Sequence, residues 1–111
     1  MRQKRKSNRQ IHYRTNPVVN FSSIMFYTYV LQSKKDKDLY IGYTDDLKKR
    51  IVEHNQGLNL STRRYRPWKI IYYETCLNKS DAKRREGYLK TTQGRRLLKI
   101  RLQEFLKSRK I

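Results

Sequence analysis

At 111 residues the chain is one small domain with little spare length for a second. Its 28 Lys and Arg against 9 Asp and Glu leave a net charge of +19, which attracts polyanions; nucleic acid is the first partner class and an anionic membrane surface the second. The single cysteine, Cys76, excludes a disulfide framework and a thiolate metal cluster, and no apolar run approaches membrane-spanning length.

The nine tyrosines tilt the choice toward nucleic acid, because aromatic faces stack on bases or line a phosphate groove. The plain alternative is a solvated basic protein with ordinary core tyrosines. Residues 1–24 carry Arg2, Lys4, Arg5, Lys6, Arg9 and Arg14, no acidic residue and no apolar period. They read as a disordered basic arm, or as residues ahead of a true start at Met25. No apolar stretch follows the basic N-terminus, so it is not a secretory signal, and a cytoplasmic setting is expected.

Phe26 to Gln32 is β-branched and aromatic and predicts a strand, SKKDKD a turn, and Leu39 to Tyr43 a second strand, together a hairpin. A helix follows over DDLKKRIVEHNQ, capped by Thr44 or Asp45 and stopped at Gly57. Leu58 to Pro67 is a polar, basic loop; a solvated loop is the common meaning of such a run, although Ser61, Thr62, Arg63, Arg64 and Arg66 suit phosphate contact. Trp68 to Thr75 predicts a third strand, with Cys76 just beyond it as a small buried hydrophobe. Ser80 is placed to cap a helix over DAKRREGYLKT, and Gly94 to open a last one over RRLLKIRLQEFLK. The sum is an α+β domain, a three-stranded antiparallel sheet flanked by helices.

Several residues are candidates to carry chemistry, each with a plain structural reading beside it. Glu86 lies four after Ala82 and three before Leu89, on the core-facing side of its helix. A carboxylate there is either paired with a basic neighbour such as Arg50, or faces a cleft and holds a divalent cation with help from substrate phosphates. Arg50 and His54, four apart, share a helix face: one suits a phosphate, the other moves protons near neutral pH. The plain readings are a surface charge and a satisfied helix-end histidine. Tyr29 and Tyr40 stand on neighbouring strands, where a phenol relays a proton only with help from a cation; packing is the commoner role of strand tyrosines. Gly42 leaves room for a ligand or another backbone, or marks a bulge.

Tyr40-Ile41-Gly42 spells YIG, and Tyr27-Thr28-Tyr29 stands where a GIY triplet would. Asp46-Leu47, Arg50, His54-Asn55, Gly57, the segment from Arg64 to Glu74 and that from Ala82 to Lys90 follow in order. The whole resembles a GIY-YIG nuclease domain of the small stand-alone kind, similar to the N-terminal nuclease of UvrC, over 25–107, with 108–111 a tail. The resemblance implies that Tyr29 positions or activates the attacking water, Tyr40 shapes the site, and Gly42 packs closely. It further implies that Arg50 stabilises charge on the phosphate, Glu86 is the single ligand of Mg²⁺ or Mn²⁺, and His54 shares the proton work. Gly42, Lys49, Arg63, Arg64 and Arg66 are the expected nucleic-acid contacts. Two features depart from the pattern: Tyr27 replaces the first glycine, and the late polar residue of many members has no counterpart.

The resulting expectation is a metal-dependent endonuclease acting on DNA, in repair, recombination or mobile-element processing, with RNA also open. The rivals are a non-catalytic nucleic-acid-binding module on the same fold and a structural RNA-binding protein.

Overall fold

The computed structural model describes residues 24–108. The basic arm expected over 1–24 and the tail over 108–111 fall, apart from Ile24 and Ser108, outside the described residues. Three strands, β1 (Phe26–Ser33), β2 (Leu39–Thr44) and β3 (Trp68–Cys76), form one antiparallel sheet in the order β2-β1-β3. Four helices complete the α+β domain: α1 (Leu47–Gln56), α2 (Lys79–Leu89), α3 (Thr92–Arg101) and α4 (Gln103–Ser108). Among the described residues no helix is long and apolar enough to cross a membrane.

Strand β1 is the centre of the sheet, and its last six residues are all buried. Alternate residues of a strand point to opposite faces, so a strand covered on both faces reads as a continuous buried run. On one face Tyr29 and Leu31 pack with Trp68, Tyr40, Ile70 and the Leu47–Ile51 stripe of α1. On the other, Val30 and Ile41 pack with Leu89 of α2 and Leu98 of α3. Each such aliphatic side chain contributes about 1.5–3 kcal/mol when fully buried. The register pairs Tyr29 with Gly42 and Leu31 with Tyr40, which puts both tyrosines on the α1 face. A bulge opposite Val30 and Leu31 lets β3 accommodate one extra residue, Ile71.

Helix starts differ from the sequence expectation in a consistent way. Asp46, rather than Thr44 or Asp45, caps α1 by accepting from the Lys49 amide. Asn78, two residues before Ser80, caps α2 through the Asp81 amide. Both replacements are short side chains with a planar oxygen held three residues before the amide they cap. Gly94 does not open the last helix. Thr91 caps α3, and Gly94 sits in its first turn against the Tyr88 carbonyl and the Leu89 backbone, where a side chain has no room. The expected single helix breaks at Leu102 into α3 and α4. Strand β3 runs one residue further than expected, and Cys76 at its end is half-buried, its thiol 3.4 Å from the Asn78 carbonyl.

Candidate active site

Tyr29 is delivered to the α1 face by β1, and its ring runs across to β2. A Cβ added at Gly42 would lie 2.5 Å from both Cζ and Oη of Tyr29. The space over Gly42 is thus filled by this phenol, neither open to a ligand nor a bulge. The phenol ends against α1, where Oη is 2.8 Å from Nε2 of His54. Both residues are buried, Tyr29 at 1% and His54 at 0% exposure. Tyr40 stands beside them, its ring 6.3 Å from Tyr29 and 5.0 Å edge-on to His54.

The other imidazole nitrogen, Nδ1, is 2.8 Å from Oγ1 of Thr62. Thr62 is held in turn: its hydroxyl is aimed at the Asn59 carbonyl 3.4 Å away, and its own carbonyl accepts from the Trp68 indole at 2.9 Å. Asn55 pins the end of this loop through two bonds to the Trp68 backbone, 2.6 and 3.1 Å long. Thr62 is 1% exposed, so the sequence reading of it as a phosphate contact is corrected: its hydroxyl is committed inward. Nothing in the spacing of the loop announced this, because an irregular segment carries no period that tells inward from outward.

The electrostatics follow from this burial. Burial first, and then the charge of Arg50, push the His54 imidazole below its ordinary value, against the opposing pull of Glu53. His54 is therefore neutral near pH 7 and keeps one nitrogen as an acceptor. Burial, then Tyr40, push the Tyr29 phenol above its ordinary value; Arg50 pulls it down, while Glu86 and Glu53 add to the rise. Arg50 and Glu86 thus both act on the buried hydroxyl, one from α1 and the other from α2.

Arg50 is half-exposed and 3.7 Å from Glu53, a loose pair that leaves the guanidinium available. It lines a polar recess of about 180 Å³ with Thr44, Asp45, Asp46, Lys49 and Glu53. Glu86 keeps 22% of its side chain exposed, and its partner is Lys90, at 2.9 Å, one turn along α2. The expected alternative partner, Arg50, is engaged with Glu53 instead. Arg63, Arg64 and Arg66 are exposed around a 3₁₀ turn (Arg63–Tyr65), and the Arg66 guanidinium lies over Gly57, the left-handed cap of α1.

The elements that carry these residues, from β1 through α2 and most of α3, lie within one stretch of family similarity. Residues 25–99 match the GIY-YIG catalytic domain. The chain belongs to the GIY-YIG family. Within it, the chain is similar to small UPF0213 proteins: one from Clostridium perfringens is 45% identical over 67 residues, 60% of this chain and 71% of that protein. Another, from Staphylococcus saprophyticus, is 39% identical over 75 residues, covering 67% of this chain and 90% of its own length. The solution structure of a UPF0213 protein from Bacillus halodurans matches 68% of this chain and 82% of its own, at 29% identity and a TM-score of 0.43.

Of the residues singled out in sequence, this GIY-YIG domain brings Tyr29, Tyr40 and His54 into mutual contact and keeps Arg50 and Glu86 within electrostatic reach of the phenol. Lys49 joins Arg50 at the recess. Arg64 is linked to the β1–β2 turn rather than to these residues, its carbonyl accepting from Lys35 at 3.1 Å.

Proposed function

We propose that the chain is a divalent-metal-dependent endonuclease that hydrolyses phosphodiester bonds in DNA. The observation that carries this is the 2.8 Å contact between the Tyr29 hydroxyl and a neutral, buried His54, beside Arg50 and Glu86. Binding a polyanion needs cations; it does not need a buried proton acceptor or a carboxylate among them.

Glu86 is the candidate metal ligand. Among the described residues no three His, Cys, Asp or Glu side chains gather as a cage. One partly exposed carboxylate nevertheless fits the way Mg²⁺ and Mn²⁺ are held when water and substrate phosphates complete the shell. Bound there, such an ion supplies charge stabilisation at the phosphoryl and leaving oxygens. The protein's own groups supply the rest. Tyr29 takes a proton from the attacking water as its own proton passes to Nε2 of His54, and Arg50 offsets the phenolate character that develops. As the water oxygen bonds to phosphorus, the bond from phosphorus to the leaving oxygen breaks, and Arg50 steadies the added charge on the phosphoryl oxygens. A phenol buried this deeply is not a free phenolate at neutral pH, so it acts only by passing its proton on. Lys49, Arg63, Arg64 and Arg66 are the proposed backbone contacts, and Gly42 serves them indirectly by seating Tyr29.

The Lys90 ammonium on Glu86 is the one observation that favours the rival, a nucleic-acid-binding module without chemistry. Plasmid nicking by the full chain decides between them, run with Mg²⁺, with Mn²⁺ and with EDTA, alongside Glu86→Gln. An enzyme nicks only with metal and loses nicking in the variant. A binding module retards plasmid and branched DNA on a gel as strongly with Glu86→Gln as without it, and cuts neither.

A further inference from the structure

The buried hydrogen-bond chain continues past His54 to a residue that none of the proposed chemistry uses. Three hydroxyl or ring hydrogens have to be placed along Tyr29, His54, Thr62 and the Asn59 carbonyl. Neutral imidazole carries one hydrogen, and its position sets the direction of every bond in the chain. With the hydrogen on Nε2, His54 donates to the Tyr29 oxygen and the phenolic hydrogen is left without an acceptor among the described residues, in a site 1% exposed. An unmade bond of that kind costs about 1–3 kcal/mol. With the hydrogen on Nδ1, all three donors are satisfied: Tyr29 donates to Nε2, Nδ1 donates to Thr62 Oγ1, and Thr62 donates toward Asn59.

We propose that Thr62 is a positioning residue that locks His54 in its Nδ1–H form, so that Nε2 always faces the Tyr29 hydroxyl as an acceptor. Thr62 touches neither substrate nor metal in this scheme. Its hydroxyl has the right direction because the Asn59 carbonyl takes its hydrogen, and the right place because the Trp68 indole holds its carbonyl. When Tyr29 gives up its proton to Nε2, the imidazolium donates from both nitrogens, and Thr62 already accepts from the second. The loop that presents Arg63, Arg64 and Arg66 is in this way tied to the catalytic pair through its one buried side chain. The functional consequence rests on the nuclease reading above; the tautomer does not.

The test is nitrogen NMR of the histidine side chain in the full chain, in a His12→Gln background so that one imidazole remains. Wild-type protein should show Nδ1 protonated and Nε2 bare near neutral pH; the opposite pattern overturns the proposal without any variant. Thr62→Val, which keeps the shape and loses the acceptor, leaves one donor unpaired in either form, so the preference for Nδ1–H should shrink and an Nε2–H population appear, and Thr62→Ser should restore Nδ1–H alone. In nicking assays Thr62→Val should lose about 10²-fold in kcat with KM little changed, and Thr62→Ser should recover most of it. A Thr62→Val protein that keeps Nδ1–H alone sinks the inference. A tautomer balance that shifts as expected while even the wild-type chain cuts nothing leaves Thr62 in place and removes the nuclease reading instead.

Discussion

The Tyr29 hydroxyl and Nε2 of His54 lie 2.8 Å apart, and neither residue has more than 1% of its surface exposed. A neutral donor and a neutral acceptor in that setting are each other's replacement for water. Tyr29→Phe removes the donor and leaves Nε2 buried and unpaired, which costs about 1–3 kcal/mol of stability. If the pair is also the proton path, nicking falls by about 10²-fold or more in the same variant. Urea unfolding and plasmid nicking read the two effects separately. A variant that loses stability and cuts normally would show that the contact is packing alone.

Gly42→Ala tests why a glycine stands opposite Tyr29. The new methyl would meet the phenol at 2.5 Å, in a strand where both backbones are fixed by the ladder. The ring has to move off His54, so both stability and nicking should fall, stability by about 1–3 kcal/mol. Tyr29→Leu, with no phenol to displace, should make the added methyl much cheaper. A double-mutant cycle measures this; the two losses adding independently would contradict a direct clash.

The pH dependence of stability carries the mark of His54. Its folded value lies below the ordinary 6.5, so from 6.5 downward the unfolded chain binds the proton more readily than the folded one. Stability contributed by the neutral imidazole is complete above 6.5 and is lost as pH falls toward the lowered folded value. Wild-type protein should therefore lose more stability than His54→Gln between about pH 7.5 and about pH 5, whatever their absolute difference. Carboxylates common to both proteins cancel in the comparison. Equal losses in urea titrations at the two pH values would place the imidazole in contact with water.

The hairpin, the α1 face and the late carboxylate were legible because each rests on a short-range rule. Alternation put Tyr29 and Tyr40 on one face, and the four-residue step put Arg50 and His54 on another. What stayed hidden depends on distances that sequence spacing does not encode. Thr62 lies eight residues from His54 across a loop, and tertiary anchors, among them Trp68, Asn55 and the Ser33 hydroxyl on the Tyr65 carbonyl, fold that loop back. Glu86 was correctly set on the inner side of α2 by Ala82 and Leu89. Its pairing with Lys90 follows the same helical step, yet +19 of net charge offers many partners and the sequence does not rank them.

Two glycines close together in the chain should respond oppositely to alanine. A Cβ at Gly87, within α2, meets nothing within 4 Å, so Gly87→Ala trades backbone entropy for helix propensity and should add about 0.5–1 kcal/mol. A Cβ at Gly94 runs into the Tyr88 carbonyl and comes within 2.6 Å of the Leu89 Cα, both backbone atoms at the α2–α3 turn. Gly94→Ala should cost about 1–3 kcal/mol or fail to fold, because relief requires α3 to swing away from α2 and draw its Leu98 off Leu89 in the core. Thermal melts of the pair give the signs directly.

Lys90 stands where an incoming cation would stand. Its ammonium is 2.9 Å from Glu86, with about half of the lysine side chain exposed, so the pair is weak enough to exchange. A divalent ion binding Glu86 has to displace that ammonium or share the carboxylate with it, and removing the lysine removes the competition. Exposed pairs of this kind contribute about 0.2–1 kcal/mol, so Lys90→Met should bind Mn²⁺ more tightly by a factor of about 1.4 to 5 in titrations with DNA present. Nicking should reach half its maximum at correspondingly lower metal, while Glu86→Gln binds weakly with or without the lysine. If Lys90→Met leaves the metal requirement unchanged, the carboxylate and the ion do not meet, and Glu86 is a partner of Lys90 alone.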